Sequence, residues 1–303
     1  MKGTKFSFRI LEPECSVYMS KQSSVQPQEK EVHHQVPLIY ILGNSHSGST
    51  LLSFLLSFHP DIINLGELKS KTWLKVRTCS CGQPVSSCNF YGDYFADFNS
   101  LKEPAMEVIR KANPVQFLFK KKITQDKVTS DHLRTFYQSV SERVIGLYPD
   151  ARYMVDSSKS VWLLNAWIQT LPKENIKIIW LRRQTKANVA SFMKRGSPFL
   201  KSLLTILGNN LITKHFLKCN NLDYLEVNYD WFYDAYPDEA HRISVFLGLN
   251  IPVTNGANRN HHVISGNAKT RQAFTNQFSG LHKDDEWHRI LSGTQKKILS
   301  WLS

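Results

Sequence analysis

No stretch of this 303-residue chain holds the ~18–20 consecutive apolar residues that a bilayer-spanning helix needs. The first 36 residues carry Lys2, Lys5 and Arg9 but lack the apolar centre of a secretory signal. The expectation is a chain without a transmembrane segment, resident in the cytoplasm. Acidic residues are scarce: 25 Asp and Glu stand against 38 Lys and Arg, a formal charge of +13. That excess favours anionic partners such as a nucleotide, a phosphate- or sulfate-bearing substrate, nucleic acid or an acidic membrane, without choosing among them. Basic motifs with interleaved aromatics are missing, so nucleic acid is not an expected partner. Internal repeats and low-complexity tracts are missing too.

Cysteine is also sparse, with five in all. Cys79, Cys81 and Cys88 form C-x-C-x6-C, a spacing that matches no common zinc pattern and offers no obvious fourth ligand. The segment reads as a reduced surface loop, with a metal knuckle or a disulfide as alternatives, and no metal is assigned. What the chain does have is 42% hydrophobic and 21% charged residues, enough for a substantial core. Ser20 to Gln35 is largely polar and reads as a flexible lead-in.

The most informative absence is a single lysine. Gly43 to Thr50, GNSHSGST, has the spacing of the phosphate loop G-x-x-x-x-G-K-[ST], but Ser49 stands where the lysine belongs. Backbone N–H groups at a glycine turn entering a helix, helped by the helix dipole, hold an anion without a side-chain cation. Without the lysine a triphosphate fits poorly, and a single phosphate carrying another group fits better. His46, inside the loop, could give a proton or a hydrogen bond to a leaving oxygen.

The surrounding pattern supplies the context such a loop requires. Val36–Leu42 reads as a buried strand and Leu51–Phe58 as a helix packed on it. His59–Leu68 reads as a turn and a short strand, Arg152–Lys159 as a strand ending in a polar cluster, and Val161–Leu171 as a helix stopped by Pro172. Asn175–Arg183 is a further strand, Thr185–Gly196 a helix, Asp223–Phe232 a strand and turn, and Asp238–Leu249 a helix. The alternation predicts an α/β fold with a P-loop-type parallel central sheet flanked by helices.

On these residues the chain resembles the sulfotransferases that use 3′-phosphoadenosine 5′-phosphosulfate (PAPS). GNSHSGSTLLSFLLSFHPDIINLGEL is similar to their opening motif, with His46 at a position usually held by arginine, as in a bacterial-type branch. The cysteine-bearing loop after LGEL fits that branch. IIWLRRQTKANVASFMKRG resembles the segment that binds the 3′-phosphate, with Arg183 followed eight residues later by Ser191 and Lys186 at the second basic position. Tyr229-Asp230 and the later FLGL match a further family segment, and HHVISGNAKTR resembles the block that covers the nucleotide. The likeness runs from Pro37 to the end of the chain. It implies a sulfotransferase-like domain over residues 36–303, preceded by a flexible segment 1–35 and carrying inserted loops, one at about 71–100.

The resemblance implies a site as well. Ser45, His46, Ser47, Gly48, Ser49 and Thr50 would hold the phosphosulfate end of PAPS, Arg183 and Ser191 the 3′-phosphate, and Gly266, Asn267 and Arg271 would cover the nucleotide, with 3′,5′-adenosine bisphosphate as the product. HPDIINLGE matches a string in tyrosine-sulfating relatives in which the glutamate is the base, which makes Glu67 the leading catalytic residue beside His46 and Lys159. The acceptor would be a carbohydrate, a lipid, a peptide tyrosine or a small metabolite. Two other readings compete: a P-loop kinase or hydrolase using Asp156 as its metal carboxylate, and a non-enzymatic anion binder.

Overall fold

The computed structural model describes residues 35–70, 76–107, 126–230, 235–252, 260–276 and 285–301. The expected lead-in, residues 1–35, falls almost wholly outside them. Strand β1, Leu38–Gly43, has no exposed residue from Leu38 to Leu42. A strand this apolar is stable only between two covered faces, and its side chains alternate accordingly. Leu38, Tyr40 and Leu42 enter one core, and Ile39 and Ile41 enter the other.

The chain then forms α1 (Ser49–Leu56), β2 (Ile62–Asn64), α2 (Phe95–Ala105), α3 (Lys127–Leu147), β3 (Tyr153–Lys159), α4 (Val161–Thr170) and β4 (Ile176–Arg182). It continues through α5 (Thr185–Met193), α6 (Phe199–Cys219), β5 (Tyr224–Asn228), α7 (Tyr236–Leu247), α8 (Ala268–Asn276), α9 (Trp287–Ile290) and α10 (Gly293–Trp301). The five strands form one parallel sheet in the order β2-β3-β1-β4-β5. Because β1 lies between β3 and β4, the connections leave to both sides of it, and a crevice opens at the carboxyl ends of the strands. No helix among the described residues is long and apolar enough to cross a membrane.

Helices α2, α3 and α4 cover one face. Leu133, Phe136, Tyr137, Val140, Ser141 and Val144 of α3 form the buried stripe, and Asp126 caps the helix through the Thr129 N–H at 2.9 Å. Helices α1, α7 and α8 cover the other face, and α5, α6, α9 and α10 share a third apolar cluster. Periodicity does not mark α6, because Leu200 and Leu204 on its outer side are more than 60% exposed and blur the apolar stripe. The cysteine segment is not the surface loop that the spacing suggests. Cys79, Cys88, Phe90 and Tyr91 are buried, and Tyr91 meets Phe98 of α2 edge to face at 5.4 Å.

One buried carboxylate ties the sheet to the loop after β2. Asp156 in β3 has no solvent exposure, and its Oδ1 accepts from the N–H of Leu68 at 3.2 Å, the N–H of Ser158 at 2.9 Å and the Ser158 hydroxyl. Burial pushes its pKa up to about 6, against the opposing pull of these donors. A folded-state pKa above the unfolded value means that the native protein gains stability as pH falls through 6 towards 4. Asp156→Asn keeps an acceptor and removes the titration. We expect the stability of the wild type relative to this variant to rise by about 1–2 kcal/mol between pH 8 and pH 5, read from urea unfolding at the two pH values.

Candidate active site

All the candidate residues in the first half of the chain lie where strands end. The loop after β1 enters α1 through Gly48, whose φ of 92° is left-handed. A Cβ at Gly48 would lie 2.1 Å from the Tyr229 ring, so only glycine allows that ring to close over the turn. Tyr229 follows β5, and the Arg183 guanidinium sits 5.0 Å above its ring centre. Arg183 also donates from Nη1 to the His46 carbonyl at 2.8 Å. The glycine loop and the arginine just after β4 therefore meet in one place, with His46 and Arg183 137 positions apart.

The adjacent arginines have separate jobs. Arg182 points outward to Glu226 at 2.8 Å, half exposed, as a strand terminus in solvent would. Asp230 holds the start of α5 by accepting from the Gln184 N–H at 2.6 Å. Lys186 lies 4.1 Å over the Trp287 ring.

The N-terminus of α1 has no side-chain cap and no acidic residue in its first turn. Its partial positive charge is left available for an anion. Ser47 is fully buried in the loop, and its hydroxyl has no hydrogen-bond partner. Asn44 ties the loop to α6 by donating to Asn210 at 2.7 Å, a contact no spacing rule signals. His46 adopts φ 65° and packs edge-on against Phe192 at 5.3 Å. Burial first, then the charges of Arg195, Lys159 and Arg183, lower its pKa to about 4. It is neutral at pH 7 and offers a hydrogen bond but no charge.

A second cluster forms beside the loop. Lys159, at the end of β3, has φ 64°, a strained conformation for a residue with a Cβ. The β1–β3 register shifts at this end of the strands. From there Lys159 ion-pairs with Glu67 and donates to the Ser157 carbonyl at 3.0 Å, with both charged side chains largely buried. Glu67 is held through its N–H, which donates to Ser265 Oγ at 2.8 Å. Burial, then the neighbouring Lys159, lowers the pKa of Lys69, a cation that the motifs do not include. A Cβ on Gly266 would lie 2.9 Å from Thr50 Oγ1 and 3.5 Å from Glu67 Oε1. The Asn267 N–H donates to Thr50 Oγ1 at 3.3 Å.

The structure thus gathers His46, Ser47, Gly48, Ser49, Thr50, Glu67, Lys159, Arg183, Gly266 and Asn267. Ser45 is exposed at the loop tip, and Ser191 is half-buried two turns into α5. Arg271 lies farther along α8. Burial lowers its pKa, and its electrostatic neighbour is the Cys79 sulfur. Lys69, Arg195, Phe192 and Ser265 complete the surroundings, and sequence spacing gives no signal for them.

The five-stranded parallel sheet flanked by helices is an α/β fold that matches solved sulfotransferase domains. Among solved structures, the sulfotransferase domain from the curacin biosynthetic pathway matches with a TM-score of 0.50 at 16% identity, over 88% of this chain and 97% of that one. The sulfotransferase domain of the Synechococcus PCC 7002 olefin synthase matches with a TM-score of 0.42 at 17% identity, over 90% and 98% of the two chains. A sulfotransferase from Mycobacterium avium gives 0.39 at 15% identity, over 80% and 67%. No family model and no curated protein matches the sequence. The fold assignment rests on the first of these structures.

Gly48→Ala should lower the unfolding free energy by about 1–3 kcal/mol through overpacking and left-handed strain. Removing the ring with Tyr229→Ala should halve that loss. Denaturant unfolding of the four proteins in a double-mutant cycle checks it, and purely additive effects would refute the contact.

Proposed function

We propose that the protein is a PAPS-dependent sulfotransferase, which transfers a sulfuryl group to an acceptor hydroxyl or amine. The observation that carries the reading is the meeting of the lysine-free loop with Arg183 across Tyr229. The uncapped α1 N-terminus and the unpartnered, buried Ser47 hydroxyl suit one phosphate, and the Arg183 fork suits a second. A nucleotide with phosphates at two separate positions makes use of both.

PAPS as substrate supplies an activated S–O bond. The loop amides and the α1 N-terminus hold the phosphate on which negative charge collects, and His46 adds one neutral hydrogen bond. Lys159 can exchange Glu67 for a sulfuryl oxygen, which frees the carboxylate to take the acceptor's proton. The acceptor–sulfur bond forms as the sulfur–phosphate oxygen bond breaks, in line by analogy with phosphoryl transfer. Thr50, Gly266 and Asn267 close the side of the site next to Glu67. Against the kinase or hydrolase reading, Asp156 is fully buried and its Oδ1 already accepts from the Leu68 and Ser158 N–H groups, which leaves only Oδ2 for a metal.

Arg183→Ala should weaken binding of adenosine 3′,5′-bisphosphate about 10–100-fold by calorimetry, since a charged hydrogen bond is lost. Glu67→Gln should keep that affinity while transfer of labelled sulfate into a metabolite extract falls about 10²–10⁴-fold. Unchanged nucleotide affinity in the first variant would sink the assignment.

A further inference from the structure

Away from the loop, the fold assembles four soft ligands that the sequence scatters. Cys79, Cys81 and Cys88 lie in the segment between β2 and α2, and His262 comes from the far end of the chain. One ligand atom from each lies within 4.8 Å of every other. Cys81 Sγ is 3.7 Å from Cys88 Sγ, and His262 Nδ1 is 3.2 Å from Cys88 Sγ and 3.9 Å from Cys79 Sγ. Tetrahedral zinc with ~2.3 Å bonds to sulfur and ~2.0 Å bonds to nitrogen spaces its ligands ~3.5–3.8 Å apart. We propose that Cys79, Cys81, Cys88 and His262 bind a structural zinc ion.

Three features support a closed metal site over three idle thiols. First, Cys79, Cys88 and His262 are buried, and all three cysteines are free, with the Cys81 and Cys88 sulfurs 3.7 Å apart, well beyond disulfide bonding distance. Second, His262 is oriented as metal-bound histidines are. In the tautomer protonated on Nε2, that N–H donates to the Tyr148 hydroxyl oxygen at 2.5 Å and the Nδ1 lone pair faces the sulfurs, and Phe90 stacks on the ring at 5.4 Å. Third, the backbone is already braced for it. The His262 N–H donates to the Asn64 carbonyl at 2.8 Å, and Ser80, between the cysteines, receives the Val263 N–H at 2.8 Å. Soft sulfur with one imidazole in a four-ligand set selects zinc over magnesium or calcium.

Binding would release the three thiol protons to solvent, leaving three thiolates and a neutral imidazole around an ion that stays divalent. The ion would fasten the 76–92 segment to residues 261–265, and so fix Ser265, which receives the Glu67 N–H. This inference stands whether or not the neighbouring site transfers sulfuryl groups.

The test is metal analysis of the full chain, purified without chelators or an affinity tag that binds metal. Stoichiometric zinc is expected, released by a thiol-blocking mercurial. Refolding or exchange with cobalt should give tetrahedral visible bands and thiolate charge transfer, and His262→Cys should retain metal while strengthening the charge-transfer band. Removing the metal should raise hydrogen exchange over residues 76–92 and 260–267. Trace zinc in the wild type with no cobalt–thiolate band overturns the proposal, whether the cysteines then prove free or Cys81 and Cys88 prove disulfide-linked. The wild-type measurements stand even if His262→Cys fails to fold.

Discussion

The site depends on a missing side chain. Because Gly48 has no Cβ, the Tyr229 ring reaches the turn that starts α1, and the Arg183 guanidinium lies over that ring while bonding the His46 carbonyl. Three strands contribute to this stack: β1 through its loop, β4 through Arg183 and β5 through Tyr229. Any larger residue at Gly48 would separate the two anion-attracting features, the helix N-terminus and the guanidinium, that the proposed nucleotide site requires together.

Parallel pairing is what makes this meeting possible. With all five strands pointing the same way, each carboxyl end opens onto the same edge, and a residue there faces its neighbours from other strands. Buried polar groups then hold the loops in place. Asp156 receives Leu68 and Ser158, and Asn64 donates to Ser53 on α1 at 3.1 Å while accepting from the Gly66 N–H at 3.0 Å. These hydrogen bonds satisfy backbone N–H groups that would be costly to leave orphaned in the core. Glu67 and Lys159 are thus presented by backbone that is itself anchored.

The electrostatics are uneven in a way that suits the proposed chemistry. Arg195, Lys159 and Arg183 lie near the loop, and after burial their charges help to keep His46 neutral. A loop without its lysine is therefore not without cations. They approach from β3, β4 and the end of α5 instead of from α1. On the opposite side of Glu67, Ser265 joins this centre to the cysteine–histidine cluster, so the two regions share one short piece of backbone.

Local pattern was enough for the α/β alternation, the glycine loop and, to within two residues, the ends of β1 and β4, because period and turn chemistry are properties of neighbouring residues. The pairing of Gly48 with Tyr229 and the lodging of Lys159 against Glu67 were not legible, because each depends on which strands become neighbours. Helix α6 escaped because apolar residues on its outer side blur its period. The cysteines show the division most clearly. C-x-C-x6-C could be read from the sequence, but His262 lies 174 positions beyond Cys88, and only the bridge that sets His261 beside Asn64 brings it to the sulfurs. The sequence by itself determined the alternation of strands and helices and the glycine turn that enters α1. The folded chain decided which residues meet, because contact between distant residues is set by strand order and packing, not by spacing.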